Sequence, residues 1–146
     1  MSLFSTLSVS ASGMMAQRTR AELLTENLAN AETTRTPEGG PYRRKDAVFE
    51  SQPQTSPFSD VFQSALSGQE TGVRVSDIVQ DESEPERRYL PGHPDADADG
   101  YVAFPKINPA EDMVDLLQAS RGYEANISAM TAVKDMISKS IDLLRT

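Results

Sequence analysis

All nine prolines of this 146-residue chain lie between Pro37 and Pro109, and the two ends of the chain contain none. A proline inside a helix removes a backbone hydrogen bond and destabilises the helix by about 3 kcal/mol. Long helices are therefore favoured at the two ends, whereas the middle is suited to turns and short strands. We predict three segments, with helices in residues 1–31 and 108–146 and a β-rich insert in residues 32–107.

The C-terminal segment carries the stronger helix signal. Asn108 is a suitable N-cap for a helix that begins at Pro109, and Glu111 follows at the position favoured in a capping box. Apolar residues then recur in steps of three and four, which is the heptad spacing of a coiled coil. Small and apolar flanking residues favour a packed helix bundle or array. The heptad positions, with serine and lysine as the polar exceptions, are Met113, Leu116, Ser120, Tyr123, Ile127, Met130, Lys134, Ile137, Ile141 and Leu144.

The N-terminal helix is predicted from about Leu3 to Asn30 and follows the same spacing more weakly. Its first part is rich in serine and contains Gly13, and both residue types are unfavourable in an isolated helix. We therefore expect residues 3–15 to be frayed until a partner packs against them. The positions of this series are Leu3, Leu7, Ser10, Met14, Gln17, Ala21, Leu24 and Leu28.

Four short runs in the middle segment are typical of β-strands and are separated by connectors rich in Pro, Gly and Ser. These runs are residues 42–49, 72–79, 87–90 and 101–104. Residues 51–72 are predicted to form a flexible loop. The predicted fold is mainly α with a small β insert, in which the two long terminal helices are neighbours in space and pair as a coiled coil.

Charge and composition argue against several classes of function. A net charge of −8 speaks against nucleic-acid binding, and we interpret residues 43–45 as the solvated face of a strand. The chain has no cysteine, so disulfides, thiolate metal sites and thiol nucleophiles are excluded. The N-terminus lacks the basic start and apolar run of a Sec-type signal or a membrane span. We expect a cytoplasmic protein unless a route without such a signal exports it.

Asp95, Asp97 and Asp99 alternate ahead of Gly100, as do the first ligands of a helix-loop-helix calcium site. Such a loop closes with a bidentate glutamate at its twelfth position, where this chain has Lys106. The leading helix is also missing, because prolines precede the acidic run. We interpret the run as a polar turn that leads into a strand, and keep a calcium-binding coiled-coil interaction module as the alternative function.

No constellation for catalysis is recognisable in the sequence. His93 is the single histidine and lies between Gly92 and Pro94, which favours a surface loop residue over a catalytic base. A nucleophilic triad needs a base beside the nucleophile, and no second base of this type is present. The Gly39–Gly40 pair is followed by proline rather than by a helix, so a phosphate-binding loop is not indicated. We predict no enzyme activity, no catalytic or cofactor-binding residue, no metal and no small-molecule substrate.

Two residues of the C-terminal helix have alternative explanations. Lys134 occupies a core-type position, where its stem packs while its ammonium reaches solvent, or where it pairs with a carboxylate of a neighbouring chain and sets the register. Gly122 weakens the helix by about 1 kcal/mol relative to alanine. Either another backbone approaches it closely or the glycine has no structural role.

Three stretches of the chain resemble one known family and occur in the order found there. They are ENLANAETTRTPEGGPYRRKDAVFE (26–50), GHPDADADGYVAFPKIN (92–108) and EDMVDLLQASRGYEANISAMTAVKDMISKSIDLL (111–144). The chain resembles the bacterial flagellar basal-body rod proteins, and its second stretch is typical of the proximal rod type. Gly122 departs from the family pattern, in which Ala or Ser is common at this position.

The resemblance implies a structural protein of the bacterial flagellum. In this family the terminal helices pair as a coiled coil that lines the axial structure, and a small domain between them packs outward. The resemblance also implies export through the flagellar type III apparatus without a cleaved Sec signal, and a place in the periplasmic rod of the basal body. Other rod subunits and copies of the chain itself are the implied partners, with no nucleic acid and no direct membrane insertion. Such a subunit self-assembles and transmits torque for cell motility.

We expect the assembly interface to combine the heptad positions of both helices with polar residues of the shared motifs. The polar members also have an explanation as helix caps or solvated surface. The expected interface residues are Leu7, Met14, Leu24, Asn27, Leu28, Asn30, Met113, Leu116, Tyr123, Glu124, Asn126, Ile127, Met130, Lys134, Ile137 and Ile141. Arg121 is a further candidate for a polar contact.

Overall fold

The structure, a computed structural model, describes residues 3–53 and 71–144 of the chain. These residues form, in chain order, α1 (Leu3–Ala29), β1 (Lys45–Pro53), β2 (Thr71–Gln80), β3 (Glu86–Tyr89), β4 (Tyr101–Phe104) and α2 (Pro109–Leu144). The prediction of two long helices with a small β insert between them is confirmed, and each strand overlaps one of the four predicted runs. Of the loop predicted for about residues 51–72, residues 54–70 lie outside the described residues. The loop prediction is wrong for residues 51–53 and 71–72, which belong to β1 and β2 because strand pairing extends beyond the short apolar runs of the sequence.

The start of α2 follows from the local sequence. Asn108 Oδ1 accepts a hydrogen bond from the Ala110 amide at 3.2 Å, and the Asn108 carbonyl accepts one from the Asp112 amide at 3.0 Å. Pro109 occupies the first helical position, where its missing N–H costs no intrahelical hydrogen bond. The predicted N-cap is confirmed. Glu111 and Asp112 add negative charge to the first turn, which favours the helix dipole.

Asn30 closes α1 at its C-terminal end. Its Nδ2 donates to the Glu26 carbonyl at 2.9 Å, and its Oδ1 accepts a hydrogen bond from the Thr33 hydroxyl at 3.1 Å. The Asn30 amide donates to the same Glu26 carbonyl at 3.1 Å. These bonds engage a carbonyl of the last helical turn within the chain and turn the backbone toward the insert.

The insert contains two two-stranded sheets, one of β1 and β2 and one of β3 and β4. Strands β3 and β4 are antiparallel, with Glu86 opposite Phe104 and Tyr89 opposite Tyr101. The two tyrosine rings meet edge to face with their centroids 5.4 Å apart. Gly100, just before β4, has a φ of 81°, and a Cβ there would lie 3.0 Å from the Tyr89 ring. This turn therefore requires glycine.

The chain divides into two compact units, and each unit uses part of both helices and part of the insert. Of the described residues, the first unit contains 3–19, 49–53, 71–76 and 119–144, and the second contains Arg20–Val48 and Asp77–Gln118. The three predicted segments follow the secondary structure, whereas the compact units combine parts of all three.

The two units bury different kinds of side chain. The first unit buries mainly small residues, and the second buries larger apolar residues together with two polar ones. Among the described residues, the buried side chains of the first unit include Ser10, Ala16, Ala119 and Val133, and those of the second include Leu23, Leu24, Asn27, Tyr42, Val102, Phe104 and Asp112. Small side chains at a helix contact let the two helix axes come close together.

Candidate assembly interface

An open apolar groove lies between α1 and α2 in the first unit and has a volume of ≈ 530 Å³. Its lining residues are Leu7, Met14, Tyr123, Ile127, Met130, Thr131 and Lys134. Six of these seven residues belong to the predicted assembly interface, and Thr131 is the one that the sequence did not indicate. The structure therefore brings part of the two predicted heptad series together at one surface.

The residues of α2 that pack inward in the first unit lie one position before the predicted heptad column. Ala119 and Val133 are 1% and 4% exposed, and Asn126, midway between them, is half-buried. The residue after Asn126 is Ile127, which belongs to the predicted column and is 42% exposed. Hydropathy favours the larger side chain as the inner one. The close approach of α1 instead selects small or polar residues, and the larger ones border the groove.

Apolar side chains also remain exposed outside the groove in the first unit. Phe4 and Met15 on α1 are 77% and 72% exposed, and Leu143 near the end of α2 is 78% exposed. Met136 and Ile141 are each about half exposed. Contiguous exposed apolar surface marks sites of protein interaction. Within residues 3–53 and 71–144, neither helix combines the length and apolar character that crossing a bilayer requires.

Lys134 and Gly122 are the two residues for which the sequence left alternative explanations open. Lys134 borders the groove with an exposed side chain, and no acidic side chain in the described part of the chain forms an ion pair with it. Its pairing with a neighbouring chain stays a prediction. At Gly122 a Cβ would lie 3.2 Å from Cδ of Gln17. A side chain of α1, rather than a backbone, therefore approaches this glycine.

Asn27 is fully buried in the second unit and joins α1 to the start of β1. Its Nδ2 donates to the Lys45 carbonyl at 2.9 Å, and its Oδ1 accepts hydrogen bonds from the Lys45 amide and the Tyr42 hydroxyl, each at 3.0 Å. Burial, with a further contribution from the nearby Glu26 carboxylate, raises the pKa of Tyr42 to about 12. Asn27 and the buried Leu24 are thus engaged within the chain.

The remaining predicted interface residues are divided between the two units. In the second unit Asn30 caps α1, Leu28 and Leu116 are half-buried, and Met113 is exposed. In the first unit Ile137 is half-buried, and Glu124 and Ile141 are exposed. These residues therefore differ in how far each is buried within its own unit. Their contacts with neighbouring subunits stay a prediction.

Arg44 and Asp112 form a buried ion pair in the second unit that sequence reasoning missed. Arg44 Nη2 lies 3.1 Å from Oδ1 of Asp112, whose side chain is inaccessible to solvent, and Arg44 Nε lies 3.2 Å from the Asp46 carboxylate. The interpretation of residues 43–45 as a solvated strand face is therefore wrong for Arg44, because its side chain is only 20% exposed. Proline placement and apolar periodicity carry no signal for a pair so distant in sequence.

The electrostatics of Asp112 reflect two opposing influences. Burial raises the pKa of Asp112, and the Arg44 guanidinium opposes that shift. Neither carboxylate oxygen accepts a well-aligned hydrogen bond from the described residues, so the ion pair is its main compensation for lost solvent. Such a pair contributes little net stability, although removing one partner alone is costly.

The acidic run ahead of β4 forms a hydrogen-bonded turn. Asp97 Oδ1 accepts hydrogen bonds from the Asp99 and Tyr101 amides at 3.0 and 2.8 Å, which leads the backbone into the strand. The Asp95 carboxylate accepts a hydrogen bond from the Thr34 hydroxyl at 2.8 Å. No group of three or more acidic or histidine side chains among the described residues is arranged to hold a metal ion. The Asp95 and Asp97 carboxylates have structural partners, and no observation supports the calcium alternative.

His93 contributes to the same loop. Its Nδ1 accepts a hydrogen bond from the Asp95 amide at 3.1 Å, and its ring centroid lies 6.4 Å from that of Phe104. The side chain is half-buried. These contacts give the single histidine a structural role in the loop.

Comparison with known proteins identifies the family. Residues 98–143 match the family model described as flagellar basal body rod FlgEFG protein C-terminal, and residues 7–35 match the model described as flagella basal body rod protein. The flagellar basal-body rod protein FlgC of Bacillus subtilis is 42% identical over 150 residues, which cover 98% of this chain and 99% of that protein. The chain belongs to the FlgC family of flagellar basal-body rod proteins.

Two further FlgC relatives match along almost the whole chain. The FlgC of Borreliella burgdorferi is 39% identical over 153 residues, covering 99% of each protein. The FlgC of Salmonella typhimurium is 35% identical over 144 residues, covering 98% of each. All seven residues that line the groove fall within the two ranges matched by the family models. The groove is thus built from the parts of the chain by which the rod family is recognised.

Proposed function

We propose that this chain is a structural subunit of the flagellar basal-body rod that works without catalysis and serves cell motility by assembling with other rod subunits and with copies of itself. Family membership supports the rod role. The open groove of the first unit is the observation that carries the assembly role. Apolar surface left exposed in one subunit favours association by about 25 cal/mol for each Å² that a neighbour covers.

In this proposal α1 and α2 pair as a coiled coil in the first unit. Gly13 lies against Asn126, and Gln17 lies against Gly122, so residue numbers rise along α1 as they fall along α2. This is the order of an antiparallel helix pair. Side chains of neighbouring subunits then interlock with the groove and with the exposed face of α2. Interlocked side chains resist sliding and rotation, which is what a torque-transmitting rod requires.

We restrict the proposed contacts between subunits to part of the predicted set of residues. Leu24, Asn27 and Asn30 support the fold of the chain itself. We assign contacts between subunits to the groove and to the exposed apolar side chains of the helices. Lys134, which borders the groove, pairs in this proposal with a carboxylate of the neighbouring subunit and helps to set its register.

The place of the chain in the cell follows from the same family. We infer that it resides in the periplasmic, proximal part of the rod and reaches it through the flagellar type III export apparatus without cleavage of a Sec signal. This inference is supported by the resemblance to rod proteins and by FlgC family membership. Passage through an export channel requires an unfolded or partly folded chain, which suits helices whose packing is completed only on assembly.

Ile127→Glu tests the assembly proposal at the groove. Because Ile127 is 42% exposed in the single chain, a glutamate there should leave the fold intact while placing a charge in the surface that a neighbour must cover. We expect unchanged circular dichroism and cellular protein level, but loss of swimming and of complete rods. Ile127→Leu keeps the apolar bulk and is the matched control, which should swim normally. Complete rods and normal swimming in Ile127→Glu cells would refute the proposal.

A further inference from the structure

Each long helix contains a single glycine, and in each helix a carboxamide side chain follows it four residues later. The pair on α1 is Gly13 and Gln17, and the pair on α2 is Gly122 and Asn126. Residues four apart lie on the same face of a helix. On this face each helix therefore has a notch, which is the gap left by the missing side chain of the glycine. Next to the notch, the carboxamide of Gln17 or Asn126 projects from the same helix.

The two faces fit into each other. A Cβ on Gly13 would lie 3.0 Å from Nδ2 of Asn126, and a Cβ on Gly122 would lie 3.2 Å from Cδ and 3.4 Å from Cγ of Gln17. Each amide of one helix therefore occupies the space above the glycine of the other. Asn126 Nδ2 also donates to the Gly122 carbonyl at 3.0 Å, which holds this amide in position above Gly13.

Stability alone gives no reason for this arrangement. Glycine is the least favourable residue in a helix interior after proline. The Oε1 atom of Gln17 is buried and has no hydrogen-bond partner among the described residues, which is a further cost. An apolar contact between two alanines would avoid both costs. Buried polar groups that weaken a helix pair are best attested as devices that select one register or one partner.

We propose that the Gly13–Asn126 and Gln17–Gly122 pairs set the axial register of α1 against α2 in the first unit, and thereby determine the shape of the assembly groove. The inference rests on the proposed function of the groove. Because α2 has no second glycine, a displacement of one heptad would bring Gln17 against a residue that carries a Cβ. The same displacement would separate Leu7 and Met14 from the α2 residues that complete the groove with them.

An exchange of residues between the helices tests the register directly. Gly122→Gln places two amides in one space, and we expect it to lower the thermal unfolding midpoint of the purified full-length chain by about 3–10 °C and to reduce swimming. Gly122→Gln combined with Gln17→Gly again places one glycine against one carboxamide at this contact, with the glycine now on α1 and the carboxamide on α2. This matched double variant should recover most of the midpoint and of the swimming.

The control is Gly122→Gln combined with Asn126→Gly, which has the same balance of glycine and amide but opens space opposite Gly13 rather than opposite residue 122. It should stay as unstable as Gly122→Gln alone. Equal recovery in both double variants, or no effect of Gly122→Gln, would overturn the register assignment. Because the unfolding midpoint is measured on the single chain, that result would leave the assembly proposal standing, and only the swimming of Ile127→Glu cells decides the latter.

Discussion

The two compact units bury their side chains in opposite ways. In the second unit a buried polar residue finds its partners inside the chain, as Asn27 does with Tyr42 and Lys45. In the first unit small side chains occupy the inner helix contact, and larger apolar residues such as Ile127 remain exposed along the groove. The second unit therefore holds a buried polar network around Asn27 whose hydrogen bonds lie within one chain, whereas the first unit leaves large apolar side chains exposed beside its inner helix contact.

The difference between the units follows from what each interaction demands of its partner. A buried polar group left unpaired costs about 1–3 kcal/mol and needs a partner at a defined distance and angle. Apolar burial is non-directional, and another molecule supplies it as well as the same chain does. We therefore expect the hydrogen-bonded network to define the fold of the second unit, and in the proposed assembly the exposed apolar surface of the first unit is covered by neighbouring subunits.

Asn27→Ala is the strongest test of the contrast. The substitution removes three hydrogen bonds and leaves buried polar groups of Lys45 and Tyr42 without their partner. We expect the free energy of unfolding, measured with urea on the purified chain, to fall by about 2–5 kcal/mol. Thr25→Ala, at an exposed position on the same helix, is the control and should change it by less than about 1 kcal/mol. Equal losses would deny the Asn27 network a special role.

The dependence of the free energy of unfolding on pH, at alkaline pH, tests the same network at Tyr42. Burial and the neighbouring Glu26 raise the pKa of Tyr42 from 10.0 to about 12. Between these values the unfolded phenol loses its proton while the folded one keeps it, so stability is full below pH 10 and falls as the pH rises to 12. The fall should reach at most about 2.7 kcal/mol. Tyr42→Phe should abolish it in urea unfolding, and its persistence would exclude Tyr42 as the cause.

A smaller effect is expected at Asp112, because two influences oppose each other there. Burial raises its pKa above the ordinary value of 3.8, and Arg44 opposes the shift. The folded chain then binds this proton more tightly than the unfolded chain, so the free energy of unfolding falls as the pH rises above 3.8. The difference in free energy of unfolding between Asp112→Asn and the wild type should therefore shift in favour of the variant as the pH rises above 3.8. A shift in favour of the wild type would show that the ion pair outweighs burial.

The smallest effect on stability is expected in the first unit. Ile127 is 42% exposed, so Ile127→Ala should lower the free energy of unfolding of the single chain by less than about 1 kcal/mol. Leu24 of the second unit is 4% exposed, and Leu24→Ala should cost about 2–5 kcal/mol. Similar losses at the two positions in thermal or urea unfolding would show that the first unit is self-contained as well, and the contrast between the units would fail.

Local patterns predicted the secondary structure closely. The prolines confined the long helices to the two ends, and the cap formed by Asn108 and Pro109 marked the start of α2. Capping and the restriction of φ at proline act within a few residues, so a single sequence contains what is needed to anticipate them. The heptad spacing also carried part of the candidate site, because six of the predicted interface residues line one groove.

Local sequence patterns did not predict which face of α2 packs inward. Heptad spacing holds equally for the column of Ala119, Asn126 and Val133 and for the column one residue later, and hydropathy favours the later one. Packing against α1, in which the Gln17 side chain lies close to Gly122, turns the earlier column inward. Likewise, the sequence next to Asn27 does not indicate that its side-chain amide forms hydrogen bonds with the backbone of Lys45 in β1.

By itself the sequence determined the ends of the helices, the approximate positions of the strands and the motifs by which the rod family is recognised. All of these depend on residues that are close together in the chain. The tertiary structure alone decided which face of α2 turns inward, that Asn27 supports the fold from within, and that Arg44 pairs with a buried Asp112. These outcomes depend on distances between residues far apart in sequence, and such distances are set only when the helices and strands pack.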